Sequence, residues 1–112
     1  MAKFSIKNNS NNELATINYD NSKDSWALNI RKDIDLSTCP VYLYSLVKHN
    51  RYKANNDDTL RFIRSRIIPS SRQNIYSFLK KYNISKYNEY DLLKLSNGKC
   101  CLDDCYIELI SE

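Results

Sequence analysis

Arg64, Arg66 and Arg72 fall within nine positions of one another in "RSRIIPSSRQN", residues 64–74, around two isoleucines and the second of two prolines. A guanidinium carries its N–H donors in a rigid fork that fits phosphate oxygens and the edge of guanine, while Gln and Asn fit adenine. Gln73 and Asn74 follow Arg72 directly, and Lys80 and Lys81 come next, suited to phosphates. The candidate chemistry is therefore recognition of nucleic acid by Arg64, Arg66, Arg72, Gln73 and Lys80. The same residue types have a second use: Arg66 and Arg72 can cap backbone carbonyls or pair with Asp57 and Asp58, and so merely fix two helices in place.

Charge sharpens the question. Residues 1–50 carry six bases and five acids, whereas residues 51–99 carry eleven bases against four acids, a balance of +7. Residues 100–112 carry four acids and no base. A basic middle beside an acidic tail fits an anionic partner, because each phosphate neutralised by Lys or Arg releases counterions. It equally fits a solvated helix face. The nine tyrosines, of which Tyr76, Tyr87 and Tyr90 are candidates for exposure, suit an interface, although AT-rich coding also favours Tyr, Asn, Lys and Ile.

Catalytic arrangements are not legible. The single glycine, Gly98, excludes a phosphate-cradling loop or a dinucleotide fingerprint. The one histidine, His49, sits in the polar run "KHNRYK", and no serine stands in a nucleophile elbow. Asp57–Asp58 and Asp103–Asp104 are adjacent pairs with no pocket predicted around them. A zinc site would need Cys101 and Cys105 completed by Cys39 and His49, a poor match to paired knuckles. We expect no enzyme, no metal and no cofactor, with Cys39, Cys100, Cys101 and Cys105 serving no assigned chemistry. The N-terminus lacks an apolar export signal and no run reaches the roughly 18 apolar residues of a membrane span, so the expectation is a cytoplasmic protein with reduced thiols.

The positioning elements follow from periodicity. With 112 residues and 42% hydrophobic content the chain reads as one domain, residues 1–112, with residues 1–13 as a mobile arm. Alternation in "LATINY" and "WALNI" predicts an antiparallel hairpin over residues 14–30. Residues 31–55 are ambiguous: Pro40 forbids a helix through it, and Val41 to Leu46 is read as a third strand with Tyr42 and Tyr44 on one face. "NNDD" starts a helix at residue 56, with Leu60, Ile63 and Ile67 as its apolar stripe and Pro69 as its end. Ser70 and Gln73 form a capping box for a second helix bearing Ile75, Phe78, Leu79 and Tyr82. Asn88 and Asp91 cap a third, which stops at Asn97 or Gly98. A closing strand places Cys105, Ile107 and Leu109 on one side. The predicted class is α+β: an N-terminal antiparallel hairpin, three short helices with a helix-turn-helix-like arrangement, and a C-terminal strand, a winged-helix variant.

Arg66, Ile68, Pro69, Ser71 and Arg72, followed by an amphipathic helix and then Gly98, Asp103 and Ile107, carry a resemblance. Residues 39–110 resemble a small module at the front of HipA-like kinase homologues of Gram-positive phages and integrative elements. There the two segments read roughly R-x-I-P-x-S/T-R and G-x-S-L-x-D-x-Y-W-I. Tyr106 stands in place of the tryptophan, and Cys100–Cys101 in place of Ser-Leu. The resemblance implies a mobile-element setting; a kinase domain is not expected to follow, and phosphoryl transfer is not expected to carry over. Together these readings give an expected non-enzymatic accessory protein of a plasmid, phage or conjugative element. It would bind double-stranded DNA as a homodimer, at an operator or origin of transfer. The rival is a factor that binds a protein partner, either inhibiting a host defence or regulating a kinase-like toxin.

Overall fold

The computed structural model describes residues 2–99 and 103–112. Strands β1 (Ala2–Lys7), β2 (Glu13–Asp20) and β3 (Ser25–Ile30) are followed by α1 (Val41–Lys48), β4 (Lys53–Ala54) and α2 (Asn56–Arg64). Helices α3 (Ile75–Lys81) and α4 (Glu89–Ser96) and strand β5 (Tyr106–Ser111) complete the chain. The strands form one antiparallel sheet in the order β4-β3-β2-β1-β5. The α+β class stands, with four helices among the described residues rather than three.

The sheet is built on period-two alternation. Phe4, Ile6, Ala15, Ile17, Trp26, Leu28 and Ile107 are buried on one face, where α2 packs against β3 and α4, and α4 against β5. Direct neighbours across the strands belong to the same set: Phe4 opposite Ile17, and Ile17 opposite Leu28. The predicted hairpin over residues 14–30 is β2–β3. On the other face Lys7 pairs with Glu108 at 2.9 Å and Ser5 donates to Glu13.

The expected arm is instead part of the sheet. Phe4 and Ile6 are fully buried in β1, which lies between β2 and β5. The turn after it is organised by Asn8, 2% exposed. Its side-chain oxygen accepts the N–H groups of Ser10 and Asn12, and its amide donates to Thr38. A polar run looked mobile because one of its asparagines supplies the hydrogen bonds that the turn's backbone lacks.

Val41 to Leu46 is helix, not strand. Pro40, with φ −59° and ψ 149°, occupies the N-cap of α1, where its missing N–H costs nothing. Leu43 and Leu46 are buried at helical spacing, while Tyr42 stacks on Phe62 and Tyr44 faces outward, so the two tyrosines do not share a face. Helix α2 starts where expected, with Asn55 accepting from Asp58 N–H at 2.9 Å, but ends at Arg64. There the bonds tighten to the Ile63 carbonyl accepting from Arg66 N–H, so Ile67 enters the core from a turn. The Ser70–Gln73 box does not form: Asn74, at φ 62°, precedes Ile75, and α3 has only seven residues. Asn88 and Asp91 do cap α4, at 2.8 Å, and Asn97 ends it in the left-handed region.

Gly98 also has positive φ, +62°, and a Cβ there would lie 2.6 Å from Ile107 Cγ1, inside the core. The left-handed region costs other residues roughly 1–2 kcal/mol, and overpacking adds roughly 1–3 kcal/mol. Gly98→Ala should therefore lower the urea midpoint of unfolding by the equivalent of about 2 kcal/mol or more. An unchanged midpoint would show that the turn and Ile107 yield without strain.

Candidate functional site

The five sequence-predicted residues separate into two groups. Arg66 is inside: it is 4% exposed. Its Nε donates to the Gly98 carbonyl at 2.5 Å, and its two terminal nitrogens grip Asp103 at 3.0 and 2.7 Å. One of them also donates to the Cys105 carbonyl at 3.0 Å. The ring of Phe62 lies 5.5 Å from the guanidinium carbon. The expectation that Arg66 meets DNA is corrected by this geometry: its fork binds its own chain. Of its predicted alternatives, carbonyl capping is what forms, at Gly98 and Cys105, while the carboxylate it grips is Asp103 rather than Asp57 or Asp58, and Asp58 is taken by Arg51 and Arg61.

This clamp joins the exit of α2 to the approach of β5. Asp103 is held below the usual carboxylate range first by its bond from Arg66, with the Cys105 N–H adding to it and burial opposing. Burial, followed by the Asp103 charge, pushes the Cys105 thiol up to about 12. Its Sγ donates to the Thr38 carbonyl at 3.0 Å. Cys39, half-buried, is likewise shifted upward by burial. Both are protonated space-filling groups at neutral pH. Cys100 and Cys101 lie outside the described residues, and among the described ones no cluster of three metal-ligating side chains occurs. His49 caps α1, with Nδ1 2.8 Å from the Ser45 carbonyl.

The other four are on the surface. Arg64 ends α2 and is 60% exposed, 3.9 Å from Glu89 of α4. Arg72 and Gln73 are exposed in the α2–α3 connection, where Arg72 lies over the Phe78 ring at 5.2 Å and so joins α3. Lys80 is exposed on α3 and lines a surface groove of about 370 Å³ with Tyr76, Leu79, Asn83, Ile84 and Ser85. No family model, curated protein or solved structure matches this chain. What the surface can do must be read from its own composition.

Residues 59–88 contain seven bases and no acid. With Arg66 withdrawn, Arg61, Arg64, Arg72, Lys80, Lys81 and Lys86 remain, all exposed. Among the described residues only Arg61 and Arg64 of these six have a carboxylate within 4 Å, at 3.8 and 3.9 Å. Of the three tyrosines singled out, Tyr87 donates to the Ile68 carbonyl and Tyr90 stacks on Tyr19 beneath Glu112. Tyr76 is the free one, 84% exposed. Sequence reasoning missed Asn83, whose positive φ of 60° turns the chain after α3 and forms one wall of the groove. An asparagine just past a helix that ends in "KKY" was the available signal.

A cleft of about 530 Å³ lies elsewhere, between the β2–β3 turn and α4. Its acids are already engaged: Asp24 by the Tyr19 hydroxyl, Asp91 by Asn88, and Glu112 by Tyr90 and Lys94.

Breaking the clamp tests its structural role. Asp103→Asn leaves Arg66 buried with a neutral partner and should cost roughly 3 kcal/mol at pH 7. A carboxyl with a lowered folded-state pKa stabilises the fold fully above its unfolded value of about 4, and this is lost as pH falls through the folded value. The gap in urea midpoint between wild type and Asp103→Asn should therefore close below about pH 4. A gap independent of pH would exclude the ion pair as its cause.

Proposed function

We propose that this chain is a non-enzymatic nucleic-acid-binding accessory protein of a plasmid, phage or conjugative element, with DNA as the partner. The observation that carries this reading is the acid-free run from residue 59 to 88, which keeps six cations exposed after the fold has used one. A surface of that kind gains affinity by releasing counterions from phosphates, and long cationic side chains can adapt to a backbone without a fixed geometry. The mobile-element setting draws on the motif resemblance. A homodimer is the assembly in which two such surfaces would meet a two-fold-symmetric operator or origin of transfer.

A helix-turn-helix or winged-helix docking is the finer form of this proposal, and it is the less direct route. Ten residues, 65–74, separate α2 from α3, where that unit uses a turn of about three or four. Contact through Arg64, Arg72 and Lys80 as a basic surface does not need the tight turn. The second reading, a protein-binding factor of the same element, is favoured by Val41, 79% exposed at the start of α1, and by Tyr76. Among the described residues, no helix is long and apolar enough to cross a membrane.

Fluorescence anisotropy with labelled duplexes from the intergenic DNA of the element, across a series of salt concentrations, tests the proposal. Binding should weaken steeply with salt, and the double variant Arg72→Ala, Lys80→Ala should reduce the log–log slope by about 2. Absence of binding to any nucleic acid at about 50 mM salt would overturn it and leave the protein-binding reading.

A further inference from the structure

Tyr76 is an aromatic ring almost wholly in water on a short helix that buries Leu79, three residues on, against the core. Lys80 stands one turn later, at the spacing that puts the two side chains on one face. The groove they border has an apolar wall of Leu79 and Ile84 and a polar wall of Asn83 and Ser85. The side chains of Tyr76, Lys80 and Asn83 make no hydrogen bond or ion pair among the described residues, so all three are available to a ligand.

The surroundings repeat the pairing of ring and cation. Arg72 lies over Phe78 at 5.2 Å, Phe78 contacts Tyr82 with centroids 4.9 Å apart, and Lys81 lies over Tyr82 at 5.5 Å. Cations interleaved with aromatic rings are the equipment for binding a single strand, where bases expose their faces and the backbone is flexible. A duplex hides those faces in its stack and leaves an exposed tyrosine nothing to cover. The carboxamide of Asn83 has both donors and an acceptor, which a base edge can use.

We propose that this groove receives a nucleobase from a single-stranded segment, the base stacked on Tyr76, its edge on Asn83 and its phosphate on Lys80. The inference rests on the nucleic-acid reading above and narrows its partner to unpaired strands, such as those exposed when an origin is opened. It also assigns separate tasks to neighbouring residues: Tyr76 contributes affinity that salt does not screen, and Lys80 contributes affinity that it does.

The test uses the full chain and three labelled probes of equal length: oligothymidine, oligouridine and a mixed-sequence duplex. The single strands should bind at least about tenfold tighter than the duplex at the same salt, because each stacked base adds to the electrostatic term. Tyr76→Ala should weaken single-strand binding roughly 5- to 100-fold, with the salt slope and duplex affinity unchanged, and Tyr76→Phe should retain most of the affinity. Lys80→Ala should instead lower the single-strand salt slope by about 0.7. A preference between the two single strands reads the sugar and the base 5-methyl group together, and either one supports the groove. Duplex binding as tight as single-strand binding, with Tyr76→Ala silent, sinks the groove while leaving the basic surface intact. Failure of all three probes at low salt sinks the nucleic-acid reading itself. Unchanged thermal melting of Tyr76→Ala, expected at so exposed a position, separates lost binding from lost folding.

Discussion

A buried guanidinium has to be neutralised where it lies, and most of what is distinctive in this fold follows from how Arg66 is neutralised. Bare, it would be far too costly to withdraw from water; gripped by Asp103 and two backbone carbonyls, it becomes a three-way joint. The partners arrive from 32 to 39 residues away in sequence, so the joint exists only when the helical layer has closed over the sheet. It draws the α4 exit at Gly98 against Ile107, the first buried residue of β5. That edge strand is secured on its outer side by the Asn97 carbonyl, which accepts from Ile107 N–H at 2.6 Å.

The same constraint divides the basic stretch. Arg66 turns in with Ile67, so its neighbours Arg64 and Ser65 are left on the outside, and ten residues in all, 65–74, lie between α2 and α3. This loop would be wasteful in a tight helical hairpin. Here it carries Arg72 and Gln73 into solvent and places Arg72 over the half-buried Phe78 ring of α3. The surface offered to a partner is therefore what remains once the core has taken one of seven cations. All thirteen acids lie outside residues 59–88, and Asp33, Asp58, Asp103, Glu108 and Glu112 each pair with a base that is not one of the exposed six.

Local patterns were readable wherever neighbours in sequence are also neighbours in space. The β2–β3 hairpin, the start of α2 at "NNDD", the Asn88–Asp91 cap and the alternation through Cys105 and Ile107 all rest on such short-range rules. Residues 41–48 were misread because tyrosines at alternate positions imitate a strand, although Leu43 and Leu46 were the pair that mattered. The two-residue β4 offers no period at all and exists only because β3 is there to pair with it. Residues 7–13 looked unstructured because composition does not reveal that Asn8 bonds three partners, one of them Thr38 in a distant loop.

By itself, then, the sequence determined the class of the fold, most of its helices and strands, and a cationic stretch without acids, because periodicity, capping and charge are properties of adjacent residues. Only the tertiary structure decided which arginine is a strut and which are exposed, and that Tyr76 rather than Tyr87 or Tyr90 is left in water. Identical guanidiniums in one eleven-residue run cannot be told apart until the chain returns with Asp103 and the carbonyls of Gly98 and Cys105. Burial of a charge depends on partners that sequence proximity does not supply.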